Sequence, residues 1–216
     1  MKSLRLLAVG LVMISAMSAM ATLEQVSVRA DLPPTDAIQW GQFGPDATLV
    51  APNSIGATDN GDLFQVFSQT GNLIRADQGG ILWPGSFNPG EELIGTDGLD
   101  VGIILNQGVQ GIGANIEMGA YGNFTAEMDV YDLGLNYVGS EFVDGTTTPA
   151  ADGSAPFLGV RSDQADIGAV VFSLYAYDVT PTFAIDKVSL SSVPEPASMA
   201  VLAVGALGLL RRRRAK

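Results

Sequence analysis

The stretch NFTAEMDVYD, residues 123–132, alternates without a break between apolar and polar side chains. Phe124, Ala126, Met128 and Val130 share one parity, and Thr125, Glu127 and Asp129 share the other. A β-strand turns successive side chains to opposite faces, so this pattern predicts a half-buried strand with an apolar floor and a polar roof. The stretch AVVFSLYAYD, residues 169–178, repeats it: Val170, Phe172, Leu174 and Ala176 fall on one face, with Ser173 opposite. Further strands are predicted at 26–30, 63–68, 101–105, 113–118, 136–143, 157–160 and 183–190, about nine or ten in all. Between the two ends of the chain no window of helical length shows a 3.6-residue period. Glycine stands at 26 of 216 residues, about 12% against an average near 7%. Asn60-Gly61, Asp97-Gly98, Asp144-Gly145 and Asp152-Gly153 read as turns. The expected fold is all-β, a jelly-roll-like antiparallel β-sandwich of two packed sheets.

Charge is unevenly spread. Residues 22–193 hold only four bases, Arg29, Arg75, Arg161 and Lys187, against 22 acids, a net charge of −18. A body this acidic is repelled by phosphate backbones, so nucleic acid is not an expected partner. Such a charge would either attract divalent cations or simply keep the body soluble. Cysteine and histidine are absent. That removes disulfides, thiolate chemistry, the Ser-His-Asp triad and the usual zinc ligands. Stability must then come from the core alone, for which about 170 residues suffice.

The ends read differently from the body. In MKSLRLLAVGLVMISAMSAMA, Lys2 and Arg5 precede an apolar core over residues 6–14, and Ala19-Met20-Ala21 is a small-residue cleavage site. This order is that of a secretory signal peptide, cut between Ala21 and Thr22. At the other end, residues 197–210 carry no charge. A helical membrane span needs roughly 20 residues, so the run is short. Pro194 and Pro196 block helix before it. Arg211, Arg212, Arg213 and Arg214 follow it, and their side chains can snorkel and hold that end on the cytoplasmic side. The expected organisation is a signal peptide over 1–21, a β-sandwich ectodomain over 22–190 and a tail over 191–216. An N-terminal signal helix and a single C-terminal hydrophobic helix would flank the sandwich.

Val193-Pro194-Glu195-Pro196-Ala197, the apolar run and the four arginines together resemble a PEP-CTERM sorting signal. The resemblance implies a Gram-negative bacterium that makes exopolysaccharide. It also implies an exosortase, an integral-membrane cysteine transpeptidase, as the partner that processes the tail near Pro194, Glu195 and Pro196. Signal peptidase and the secretion machinery act before it, and the inner membrane holds the tail in transit. The destination would be the cell surface or the extracellular matrix. Residues 82–190 are similar to a recurring ectodomain of such proteins, of the galactose-binding-like or lectin-like jelly-roll type. Residues 22–81 carry no such likeness.

Three groups of body residues bear on chemistry. Glu127, Asp129 and Asp132 approach an E-x-D-x-x-E pattern of a glycoside hydrolase family, with Asp132 in place of the last Glu. Glycoside hydrolysis uses two carboxyl groups about 5–9 Å apart, and Glu127 and Asp129 would lie about 6–7 Å apart along one strand face. A solvated strand face accounts for the same residues, and the expectation is a protein that is not an enzyme, with a surface polysaccharide-degrading glycoside hydrolase or a purely structural matrix protein as the alternatives. Asp186 shares parity with Val188 and Leu190. If it points inward it needs hydrogen bonds, a cation or a structural calcium ion; otherwise it faces water or accepts backbone N–H groups. No other cofactor is expected, and Asp59-Asn60-Gly61-Asp62 reads as a turn. Exposed aromatics would form a platform for exopolysaccharide. Trp40, Trp83, Tyr121, Tyr131, Tyr137, Tyr175 and Tyr177 are available, and parity sets Tyr175 and Tyr177 side by side, opposite Phe172 and Leu174.

Overall fold

The computed structural model describes residues 22–176 and 182–192. In chain order the strands are β1 (Leu23–Val26), β2 (Asp36–Ile38), β3 (Thr48–Val50), β4 (Ser54–Ala57), β5 (Leu63–Phe67), β6 (Leu73–Asp77), β7 (Glu92–Thr96) and β8 (Asp100–Val109). There follow β9 (Gly111–Met118), β10 (Gly122–Asp132), β11 (Tyr137–Thr147), β12 (Phe157–Ser162), β13 (Ile167–Tyr175), β14 (Phe183–Ile185) and β15 (Val188–Ser191). They form two antiparallel sheets packed as a sandwich. One has six strands in the order β11-β10-β13-β8-β5-β4. The other has nine, in the order β1-β12-β9-β14-β7-β6-β3, with β15 joining β9 to β2.

One apolar core lies between the sheets. The inner parity of β10 supplies Phe124, Ala126, Met128 and Val130, and that of β13 supplies Val170, Phe172 and Leu174. Opposite them stand Ile112, Ala114, Ile116 and Met118 of β9, with Leu158 and Val160 of β12. The strand that residues 123–132 predict is therefore present, with the predicted face buried.

The two outer faces differ. That of the nine-stranded sheet is covered by loops, which add a second cluster of Ala76, Trp83, Phe87, Leu93, Ala155 and Ala184. A third cluster joins Val26, Leu32 and Phe157. For this reason β9 is buried along almost its whole length, as strands covered on both sides are. The outer face of the six-stranded sheet is open, and β10 keeps its alternation. At the β4 edge, Gln42 accepts the Ala57 N–H and donates to the Ala57 carbonyl. A side chain there satisfies the backbone of an exposed strand edge.

Several elements differ from the sequence reading. Strands β2, β3, β4, β6 and β7 were not predicted; they hold three to five residues each, too few to show a period. The strand predicted at 26–30 is β1 displaced toward the N-terminus, followed by a 3₁₀ turn at Arg29–Asp31. Asp144-Gly145 is no turn but lies inside β11. The strand predicted over 183–190 is interrupted. Ile185 pairs with Ile116 and Ser189 with Gly113, so four steps on one strand face three on the other. An extra residue of this kind is a β-bulge, and it reverses side-chain parity at Asp186 and Lys187. The predicted flanking helices lie outside the described residues, as do Ala21, Tyr177, Pro194, Glu195, Pro196 and the four tail arginines. Among the described residues no helix is long and apolar enough to cross a membrane.

Candidate functional site

The open face is built from the outward parity of β11, β10 and β13. The register sets Asn123 opposite Thr146, Thr125 opposite Asp144, Glu127 opposite Phe142 and Asp129 opposite Ser140. On the other side of β10, Thr125 faces Tyr175 and Glu127 faces Ser173. Cross-strand partners lie about 5 Å apart at Cβ, within reach of hydrogen bonds between short side chains.

Those bonds form a ladder. Thr146 Oγ1 donates to Asn123 Oδ1 at 2.8 Å. Thr125 Oγ1 donates to Asp144 Oδ1 at 2.7 Å. Tyr175 OH donates to Glu127 Oε2 at 2.7 Å. Ser140 Oγ donates to Asp129 Oδ1 at 2.5 Å, and Tyr137 OH lies 2.6 Å from the same Ser140 oxygen. Each of the three carboxylates is thus held through one oxygen by a neighbouring hydroxyl. The bond to Glu127 pushes the Tyr175 phenol up to about 12, with burial adding to it. Tyr131 is also raised, chiefly by burial and then by the charge of Asp129; its ring meets that of Tyr137 edge-on at 5.8 Å.

At the Tyr175 end the face dips into a groove of about 450 Å³, lined by Asn123, Thr125, Asp144, Thr146 and Tyr175 among others. Tyr175 is 55% exposed and Phe142 51%, so two rings flank Glu127. Phe142 escaped the sequence reading, which weighed only Trp and Tyr as sugar platforms. The parity of the strand predicted at 136–143 would have placed it outward.

The face carries acids and no base. Strands β8, β10 and β11 hold Asp100, Glu127, Asp129, Asp132, Glu141 and Asp144, and none of the six strands contains Lys or Arg. Arg75 lies in β6 and Arg161 in β12, while Arg29 and Lys187 flank β14 and β15. All four serve the other sheet.

The remaining predicted residues are placed as follows. Glu127 and Asp129 do share a face of one strand, but they project to the same side. A glycosidase sets a carboxyl on either side of the scissile bond; these two form a row. Asp132 belongs to the β10–β11 turn, where its carboxylate accepts the N–H groups of Gly134 and Asn136 and the Asn136 amide. Asn136 holds it below the usual carboxylate range. Trp40 and Trp83 are buried and offer no platform. Trp40 Nε1 donates to the Asp186 carbonyl at 2.7 Å, and Trp83 Nε1 to Glu117 Oε1 at 2.9 Å. Tyr121 and Tyr137 are exposed.

Asp186 is buried, but the bulge turns its carboxylate to the outer side of the nine-stranded sheet. There Arg29 Nη2 meets Oδ1 and Oδ2 at 2.5 and 2.7 Å, and the Asn115 N–H donates to Oδ1 at 2.8 Å. Burial pushes the carboxyl up to about 7, although Arg29 and Asn115 pull against it. A guanidinium therefore stands where the sequence reading considered calcium. Among the described residues no group of three or more Asp, Glu, His or Cys is arranged to hold a metal ion.

Glu117 was not singled out from sequence. It is fully buried under the loop that carries Trp83 and Gly85, where Trp83 Nε1 and the Ser86 N–H donate to its two oxygens. Burial raises its carboxyl above the usual range against both donors. Its signal in the sequence was a charge at a position flanked by Ile116 and Met118 in an otherwise apolar strand.

Residues 192–214 match the PEP-CTERM protein-sorting motif. No curated protein matches the chain. Among solved structures the chain is similar to CsCBM6-3 from Clostridium stercorarium, crystallised with cellobiose: 11% identity over 73% of this chain and 93% of that one, TM-score 0.27. It is similar to a DUF4465 family protein from Bacteroides caccae at 10% identity, over 76% and 99% of the two chains, TM-score 0.28. A glycoside hydrolase family 43 arabinoxylan arabinofuranohydrolase from Bacillus subtilis, in complex with cellotetraose, aligns at 14% identity over 68% of this chain and 24% of that one, TM-score 0.27. Likeness this distant leaves the chemistry of the open face to its own residues.

Proposed function

We propose that the chain, sorted by an exosortase through its PEP-CTERM motif, displays a non-enzymatic glycan-binding domain at the bacterial surface or in its polysaccharide matrix. The leader over 1–21 and the tail over 191–216 direct transport, and the jelly-roll-like body between them does the binding. One observation carries the reading. Tyr175 presents a half-exposed ring, its hydroxyl pinned to Glu127, at the rim of a groove of about 450 Å³ lined by hydroxyl, amide and carboxylate groups. A sugar offers one apolar face and a rim of hydroxyls. Stacking on the ring and hydrogen bonds to the groove match both. A pinned ring also loses little freedom on binding, which favours affinity.

A glycan array with the exported protein, run with and without calcium, tests the reading. Binding that Tyr175→Ala weakens by about tenfold supports it; no binding in either condition removes it. Turnover of polysaccharide that disappears in Glu127→Gln would instead establish the hydrolase reading.

A further inference from the structure

Resting on the glycan-binding reading above, we infer that the ladder face selects polysaccharides bearing cationic amino sugars over neutral and acidic ones. Asp144, Glu127 and Asp129 stand at alternate steps along β10 and its β11 neighbour, each with one oxygen tied to a hydroxyl. A strand advances about 3.3 Å per residue, so Glu127 and Asp129 lie about 6–7 Å apart along β10, with Asp144 at the next alternate step on the adjacent β11. No lysine or arginine lies in any of the six strands to neutralise them. The hydroxyl partners are neutral, so the row keeps its charge while its geometry is fixed.

This arrangement opposes a uronate or sulfated chain, whose charges would meet like charges along the row. A neutral chain gains the ring and the hydrogen bonds alone. A chain of protonated 2-amino sugars gains a charge-assisted hydrogen bond at each carboxylate. Tyr175 adds to this, because an ammonium over a phenol ring is attracted to its face. Calcium bridging, the usual way for an acidic face to hold an acidic polymer, needs several oxygens converging on one point. The carboxylates here stand at alternate steps on two neighbouring strands, and the described residues contain no converging acidic group.

The test compares two oligomers that differ only in charge: a glucosamine oligomer and its fully N-acetylated counterpart. Binding to the protein exported from a bacterial host is measured calorimetrically at mildly acidic pH, where the amines carry protons. Exposed ion pairs are individually weak, but three in register should favour the amine form by about tenfold. High salt should erase the preference. Glu127→Gln combined with Asp144→Asn, which preserves side-chain shape and removes two of the three charges, should reduce it. Equal affinity for the two oligomers, or a preference that survives high salt or is undiminished by the double substitution, overturns the amino-sugar inference and leaves the glycan-binding reading in place. Failure of both oligomers together with an empty glycan array overturns both.

Discussion

Arg29 and Asp186, 157 residues apart in the chain, form an ion pair in which one guanidinium nitrogen, Nη2, meets both carboxylate oxygens at 2.5 and 2.7 Å. Arg29 extends from the 3₁₀ turn after β1, stacks 5.0 Å from the centre of the Phe157 ring, and also donates to Asn115, Ser189 and the Lys187 carbonyl. Asp186 sits in the bulge between β14 and β15. The pair therefore ties the first strands of the chain to the last across β9.

Removing one partner leaves the other short of its counter-charge in a buried place. Arg29→Ala should destabilise the domain by about 3 kcal/mol or more at neutral pH. Arg29→Lys should recover only part, because an ammonium cannot present the planar fork. Urea unfolding measures both. Because a guanidinium occupies the position, a calcium chelator should leave the unfolding midpoint unchanged; a drop on chelation would show that the Asp186 region holds an ion as well.

Gly85 is a close-approach glycine. A Cβ there would fall 1.3 Å from Glu117 Oε1 and 2.9 Å from Trp83 Nε1. Gly85→Ala must push the loop off the sheet, at a cost of about 2 kcal/mol. Combined with Glu117→Ala, it should cost less than the sum of the two, since the second change removes the obstacle. Strict additivity in a double-mutant cycle would argue against this contact.

Glu117 makes stability depend on pH in a predictable direction. Its folded-state carboxyl is raised above the ordinary value of 4.5 by burial. The folded protein therefore holds this proton more tightly than the unfolded chain. The contribution is fully present below the unfolded value and is lost as pH rises from there through the raised folded value. Glu117→Gln cannot titrate. Its amide leaves one donor facing another at every pH, a constant cost that drops out of the slope. The stability of the variant relative to the parent should thus improve as pH rises from the ordinary value of 4.5 through the raised folded value. A difference that is flat with pH contradicts the assignment.

Tyr175 separates ring from hydroxyl. Tyr175→Ala should weaken glycan binding by about tenfold, as loss of a central aromatic contact does. Tyr175→Phe keeps the ring and loses only the bond to Glu127, so its effect should be several times smaller. Titration calorimetry on both variants checks the order; an equal loss in each would move the function from the ring to the hydroxyl.

Processing is read directly by mass. The mature extracellular protein should begin at Thr22 and lack Arg211, Arg212, Arg213 and Arg214. An intact arginine tail on extracellular protein would contradict cleavage.

Local sequence determined whatever depends on near neighbours. The alternation in residues 123–132 and 169–178 is a property of consecutive residues, so the central strands and their buried faces were legible before any tertiary contact was known. Parity likewise set Glu127 and Asp129 on the face that Tyr175 occupies. The sorting motif is linear and was readable for the same reason. Tertiary structure decided what depends on distant residues. The short strands β2, β3, β4, β6 and β7 exist because longer neighbours pair with them, and their own residues carry too little pattern to announce it. The bulge at Asp186 reverses parity, so the carboxylate is buried as parity suggested but on the opposite side of the sheet. With four cations in the whole body, a buried aspartate had few partners to choose from, yet only the fold selects Arg29. The hydroxyl–carboxylate ladder follows from register between strands, and register is set where side chains from separate parts of the chain meet.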